Sequence, residues 1–402
     1  MKNLIPNSTW PFFSEDEIDA VSNVLRSGKV NYWTGGLARQ FEIEFAAYVG
    51  VNYGIAVANG TVALDLILVS LGIGPGDEVV VTPRTFLASV SAIVICGATP
   101  IFADVDLDSQ NITAESIAEK LTPRTKAVIC VHLAGWGCEM DAIMDLSQQH
   151  QFFVIEDCAQ AHGGAYKGKM LGSFGHAAAW SFCQDKIMST GGEGGMVTTC
   201  DKRLWQKMWS YKDHGKNWLA VYEREHPPGF RWLHESFGTN WRLTEMQAAI
   251  GLLQLKKMPF WHQMRIQNAR QIWAAADSIP ALRVPSVPAY IEHAAYKCYV
   301  FVRPEYLKQG WNRDRIIAEF HKNGVPCFSG SCSEVYLEKA FEGTGFRPET
   351  RLPNARELGE TSLMFLVHPT MSKVEAEKVC QVLISVVSKA SKCDYPNTAN
   401  VR

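Results

Sequence analysis

Residues 152–163 read Phe152-Phe153-Val154-Ile155-Glu156-Asp157-Cys158-Ala159-Gln160-Ala161-His162-Gly163. Four apolar residues without alternation, closed by two carboxylates, read as a strand buried on both faces with acids at its carboxyl end. Upstream, the spacing predicts a helix over 140–150 and an apolar strand over 127–132. Further back it predicts strands over 99–103, 78–82 and 53–58, and helices over 85–96, 62–71 and 41–49. Downstream lie Ser181, then Lys186, then the run Gly191-Gly192-Glu193-Gly194-Gly195 and a strand over 196–199. Strands alternating with helices imply right-handed crossovers and a mostly parallel sheet, an α/β fold. After residue 250 the pattern changes to a long helix over 252–276, then short strands (298–302) and helices (313–323, 373–389). The expected division is a large domain, 1–250, and a smaller α+β C-terminal domain, 251–402, that includes the linking helix. The stretch 215–239 reads as a long loop, and the polar tail from 391 as frayed.

Composition narrows the function. Apolar residues make up 47% and charged residues 20%, with a net charge of −2. That balance carries no footprint for nucleic acid. Eleven cysteines without a C-x-x-C pair give neither zinc spacing nor a compact disulfide framework, and read as free thiols in a reducing compartment. The first residues lack an apolar signal-peptide core, and no run is long enough to span a membrane, so the expectation is a cytoplasmic protein.

In open α/β sheets, ligands sit beyond the carboxyl ends of strands, where Asp157 falls. Asp157 and Lys186 are the pair that pyridoxal phosphate requires: a carboxylate for the pyridinium nitrogen and an amine for the Schiff base. Apolar, glycine-rich surroundings of Lys186 would favour the neutral, nucleophilic amine. Asn59-Gly60-Thr61, opening a helix, offers N–H groups for a phosphate, Ser181 a hydroxyl, and Phe86 a face for the ring. Each residue also has an ordinary reading. Asp157 is a turn former or cap, Gly60-Thr61 a helix start, Lys186 a solvated loop residue, and His162 a core histidine. Order and spacing together favour the cofactor site.

The same segments resemble the sugar aminotransferase family DegT/DnrJ/EryC1/StrS, over roughly residues 30–383. The resemblance rests on Ala58-Asn59-Gly60-Thr61-Val62-Ala63-Leu64, Gly72-Ile73-Gly74-Pro75-Gly76-Asp77, the Glu156–Gly163 block, Ser181-Phe182 with Lys186, Gly192-Glu193-Gly194-Gly195 and Gly238-Thr239-Asn240-Trp241-Arg242. It implies the fold type I of pyridoxal-phosphate transferases, with a seven-stranded sheet. It implies Lys186 as Schiff-base lysine and proton carrier, Asp157 on the ring nitrogen and Gln160 at the ring hydroxyl. Gly60, Thr61 and Ser181 would hold the phosphate, and Phe86 would stack on the ring. Asn240 would enter from a partner subunit, making a homodimer with composite sites. Glutamate would be the amino donor and a keto-sugar the acceptor.

For the acceptor, two departures stand out: Arg84 before Thr85-Phe86, and the segment Pro326-Cys327-Phe328-Ser329-Gly330 in place of a histidine-rich one. They resemble the subgroup that makes 8-amino-3,8-dideoxy-manno-octulosonate, an amino form of the lipopolysaccharide sugar Kdo. That resemblance implies an acidic 8-oxo acceptor whose carboxylate Arg84 reads, with Lys297 or Arg242 as alternatives and Thr34 and His162 as further substrate contacts. A nucleotide-linked 4-keto-sugar is the alternative acceptor. A regulatory protein that binds the cofactor or a sugar without turnover is the alternative of another class.

Overall fold

The middle strand of the molecule's main sheet is the one that ends in Glu156-Asp157. The computed structural model describes residues 9–226, 228–229 and 231–392. Its strands are β1 (Tyr53–Val57), β2 (Glu78–Val81), β3 (Thr99–Phe102), β4 (Thr125–Val131), β5 (Phe153–Asp157), β6 (Ala165–Tyr166) and β7 (Lys169–Met170). They continue with β8 (Ala177–Ser181), β9 (Gly195–Thr199), β10 (Leu282–Arg283), β11 (Ile291–Glu292), β12 (Cys298–Val302) and β13 (Ser362–Phe365). The seven-stranded sheet has the order β1-β9-β8-β5-β4-β2-β3. Only β9 runs against its neighbours. Hence β1, β5 and β8 present their carboxyl ends on one edge. This is the α/β architecture the sequence predicts, with helices buried on the sheet because βαβ crossovers leave them there.

The helix Glu245–Asp277 begins at Thr244, whose side chain accepts from the Gln247 N–H in a capping box. Its first half contributes Leu252, Leu255, Met258 and Trp261 to the core of the large sheet. Its second half contributes Ala269, Ile272 and Ala276 to a separate core with Leu363, Phe365 and Leu383. Strand β12 divides by its two-residue period: Cys298, Val300 and Val302 enter the second core, Tyr299 and Phe301 the first. Residues beyond 250 therefore feed both cores.

The loop predicted over 215–239 holds a short helix, Trp218–Tyr222, and is pinned at its base by a bridge between Lys216 and His234. Among the described residues no helix is long and apolar enough to cross a membrane. The tail beyond 392 and the first eight residues, on which the expectations of a frayed end and no signal segment rest, lie outside the described residues.

Candidate active site

Strand alternation sends the two acids of β5 to opposite faces. Glu156 accepts from the amides of Gly172 (2.8 Å), Phe174 (2.8 Å) and Gly175 (2.7 Å) and pairs with His132 Nε2 at 2.9 Å. Burial alone would raise its carboxyl, but His132 and these amides hold it below the usual range. It is a structural hub. Asp157 faces the other way. Its Oδ2 accepts from Ser89 Oγ at 2.8 Å and its Oδ1 from the Ala159 N–H at 3.1 Å. Thr85 Oγ1 lies 2.8 Å from Ser89 Oγ, so a hydroxyl relay fixes the carboxylate from the helix that follows Phe86.

On the next strand Ala179 pairs with Asp157, and Ser181 lies two residues farther toward the same edge. Register then carries Ser181 to Gly195 and Gly195 to Val57, just before Asn59-Gly60. The turn is pressed onto the strands. A Cβ added at Gly60 would lie 2.7 Å from the Ser181 Cβ, and one at Gly195 would lie 2.5 Å from the Asn59 carbonyl carbon and oxygen. Asn59 Oδ1 takes the Val62 N–H at 3.0 Å. The Gly60 and Thr61 N–H groups, at the helix start, have no intrahelical acceptor and lie where Gly60 packs against Ser181, an anion cradle.

Gln160 is oriented by the Ala134 N–H, which donates to its Oε1 at 2.8 Å and leaves the amide nitrogen as the free donor end. Phe86 stands 72% exposed. Lys186 follows β8 in a tight turn, its side chain 16% exposed. Its Nζ lies 3.5 Å from the Tyr296 hydroxyl and 3.7 Å from Asp185 Oδ1. These polar neighbours replace the apolar ones the glycine-rich sequence suggests, because β8 and the segment before β12 meet here. Tyr296 donates in turn to Asp185, and Lys186 holds the Asp185 carboxyl low against the opposing effect of burial. The set Asp157, Gly60, Thr61, Ser181, Gln160 and Lys186 suits pyridoxal phosphate. It provides an acid for the ring nitrogen, an anion cradle packed too tightly for a side chain, and an amine at the rim.

The substrate candidates separate. Arg84 requires correction: it is fully buried, and the guanidinium edge that would grip a carboxylate is taken within the protein. Its Nε and Nη2 donate to Gln110 Oε1 (3.0 and 2.8 Å), Nη2 also to Ser362 Oγ (2.8 Å), and the guanidinium lies 5.4 Å from the centre of the Tyr299 ring. It joins the large sheet to β13. His162 requires the same correction. It is buried among Phe45, Trp180 and Phe182, and both ring nitrogens lack a partner. Burial, with the charges of Lys186 and Arg265, pushes its imidazole down to about 3. Arg242 donates to Asp213 Oδ1 at 2.7 Å, which occupies its charge. Thr34 and Asn240 are exposed. Lys297 lines a 390 Å³ cavity beside Lys186 with Asp185, Tyr296, Arg265, Trp10 and His368. Sequence reasoning missed Ser89, Asp185, Tyr296 and Arg265. A serine and an arginine within helices, or an acid beside a lysine, carry no pattern that separates them from surface residues.

The family model described as "DegT/DnrJ/EryC1/StrS aminotransferase family" matches residues 11–384. The spore coat polysaccharide biosynthesis protein SpsC of Bacillus subtilis is 36% identical over 94% of this chain and 96% of its own length. The dTDP-3-amino-3,4,6-trideoxy-alpha-D-glucose transaminase of Streptomyces venezuelae is 32% identical over 90% of this chain and 89% of its own. Among solved structures, an aminotransferase from Psychrobacter cryohalolentis superposes with a TM-score of 0.94 at 59% identity, covering 96% of this chain and all of that one. The PLP-form of the putative sugar aminotransferase Spr1654 from Streptococcus pneumoniae superposes with a TM-score of 0.84 at 25% identity, covering 96% and 99%.

Proposed function

We propose, for a chain that belongs to the DegT/DnrJ/EryC1/StrS aminotransferase family and is a pyridoxal-phosphate-dependent sugar aminotransferase, that it moves the amino group of L-glutamate onto a nucleotide-linked keto-sugar, as a homodimer. The observation that carries the chemistry is the meeting of Asp157, the Gly60–Ser181 cradle and Lys186 at one sheet edge.

When bound, the cofactor supplies an electrophilic carbonyl and an electron-withdrawing ring. Asp157, held as an acceptor by Ser89 and Ala159, keeps a proton on the ring nitrogen. Gly60, Thr61 and Ser181 hold the phosphate, Gln160 meets the ring hydroxyl, and Phe86 covers a ring face. Lys186 Nζ would accept the proton released from the donor's α-carbon, with Tyr296 and Asp185 fixing the position of the amine. Asn240, exposed here, contacts the phosphate of the neighbouring subunit's site.

A nucleotide-linked acceptor is supported by relatives such as the dTDP-sugar transaminase and the GDP-perosamine synthase of Escherichia coli O157:H7, 45% identical over 56% of this chain and 58% of its own length. The case for the acidic octulosonate acceptor loses Arg84, which is buried. It retains one observation, Lys297 beside the cavity next to Lys186. The test is a donor–acceptor screen read by mass spectrometry on one preparation. Amination of a GDP-, dTDP- or UDP-linked keto-sugar supports the proposal. Turnover of the 8-oxo octulosonate alone overturns it in favour of the acidic sugar.

A further inference from the structure

The turn that carries Lys186 is held at its backbone from within and from outside. Within it, the Lys186 N–H donates to the Cys183 carbonyl at 3.0 Å and the Thr190 N–H to the Phe182 carbonyl at 3.1 Å. From the helix Glu245–Asp277, Gln254 Oε1 accepts the Ser189 N–H and Gln247 Nε2 donates to the Glu193 carbonyl, both at 2.8 Å. The Lys186 carbonyl accepts the indole Nε1–H of Trp10, 176 residues earlier in the chain, at 2.7 Å. That is the short end of the range for an N–H···O bond.

Trp10 is itself fixed. Its ring meets Trp261 edge to face at 5.1 Å, stacks on His368 at 6.5 Å and covers the Arg265 guanidinium at 4.9 Å. The Thr9 carbonyl just before it accepts from Thr370 Oγ1 at 2.9 Å. Residues 9 and 10 thus form a strap from the segment after β13 to the Lys186 turn. A partly buried indole needs a partner for its N–H, and many carbonyls would serve. Here the choice of carbonyl matters, because the Lys186 side chain has only loose holds of its own. Its Nζ lies 3.5 Å from the Tyr296 hydroxyl and 3.7 Å from Asp185 Oδ1, both longer than a good hydrogen bond. Thr9 and Trp10 also wall the cavity that Asp185 and Tyr296 line. A Lys186 carbonyl free to turn would turn its peptide plane and swing the amine along the rim of that cavity.

We propose that Trp10 is a positioning residue for Lys186: its hydrogen bond to the Lys186 carbonyl sets where the lysine amine stands. The proposal rests on the reading of Lys186 as the lysine that bonds the cofactor. It adds to that reading a residue from the far end of the chain that touches neither cofactor nor substrate to act.

The test is Trp10→Phe, which keeps a ring among Trp261, Arg265 and His368 and removes the donor. Two quantities are measured on the folded variant. The first needs no turnover: pyridoxal phosphate is added to the apoprotein, borohydride traps what has bonded, and mass spectrometry of the Lys186 peptide gives the rate of capture. The second is the half-reaction with L-glutamate, followed through the cofactor's absorbance, which separates kcat from KM. Capture and kcat should fall ~10- to 100-fold, the range that a misplacement of about 1 Å allows, while KM holds. Trp10→His sets its Nε2 the same number of bonds from Cβ as the indole nitrogen, and should regain part of both losses. Wild-type capture and kcat in folded Trp10→Phe overturn the proposal. Losses as large in Trp10→His as in Trp10→Phe overturn it too, because they assign the effect to ring packing. If Trp10→Phe has no melting transition, Thr370→Val decides, since it unhooks Thr9 and leaves Trp10 in place. It should slow capture in the same direction by less, and unchanged capture overturns the proposal. A wild type captured at another lysine instead defeats the cofactor reading on which the proposal stands.

Discussion

At the scale of single residues, Asp157 and Arg84 show how little side-chain type alone decides. Both lie at strand ends of the same sheet. Asp157 keeps a face toward the sheet edge because Ser89 and Ala159 bind it from behind, whereas Arg84 is drawn inward by Gln110 and Ser362. Asp157→Asn should lower turnover by orders of magnitude in a folded protein that still binds the cofactor; a near-normal rate would place the ring-nitrogen partner elsewhere. Arg84→Ala should cost about 2–5 kcal/mol, because it leaves Gln110 Oε1 without its donors and Ser362, still bonded to the Leu358 carbonyl, beside a void. Denaturant titration measures that loss. A selective change in the acceptor's KM without loss of stability would return Arg84 to the site. His162 offers a pH test. Its folded value of about 3 lies below its ordinary 6.5, so the unfolded chain binds the extra proton. The stability it confers is present above pH 6.5 and is lost as pH falls toward 3. His162→Phe, placed among Phe45, Trp180 and Phe182, should therefore show a smaller drop in Tm between pH 7 and pH 5 than the wild type. Equal drops would mean that His162 does not titrate this way.

At the scale of elements, the strands over 53–58, 78–82, 99–103 and 127–132, the one ending in Glu156-Asp157 and that over 196–199 were legible with the helices between the first of them, because buried strands are short apolar runs, whereas the helix Glu15–Ser27 and the strand Ala177–Ser181 were not read. The strand Cys298–Val302 was read to the residue. The tightness of the phosphate turn was not legible: Gly60 and Gly195 read only as flexible residues, while the fold uses them because Ser181 and Asn59 leave no room for a Cβ. The cations at Arg265 and Lys297 were half legible. Lys297 lies beside a strand, but Arg265 sits in a helix whose charged residues mostly face water, and only the packing of Trp10 across it shows its burial. Gly60→Ala tests the cradle. It forces the helix Gly60–Leu71 away from Ser181, at about 1–3 kcal/mol of overpacking. Cofactor affinity should fall more steeply than stability. A variant that binds pyridoxal phosphate as tightly as wild type would show that the phosphate lies elsewhere.

At the scale of the whole molecule, the proposed homodimer bears on the surface around Asn240. Asn240 is exposed, and close before it Phe237 stands 99% exposed, with Trp232 at 83%. Bulky apolar side chains in water at that density mark a surface that another protein covers, and in a two-fold dimer the covering surface is the same segment or its neighbour on a second copy. The proposed homodimer, with Asn240 crossing into the partner's site, would account for both observations. The chain should sediment as a dimer, and cofactor affinity should weaken on dilution below the dimer's dissociation constant, because ligand and partner bind the same folded species. Phe237→Asp should shift the equilibrium toward monomer and weaken cofactor binding with it. Mixing separately inactive Lys186→Ala and Asn240→Ala proteins provides the sharper measurement. In a mixed dimer one site inherits both defects and the other inherits neither. With half the dimers mixed, roughly a quarter of the sites are intact, and activity should recover to that level. Mixtures that stay inactive after subunit exchange, or a monomer that turns over at the full rate, would remove Asn240 from the neighbouring site.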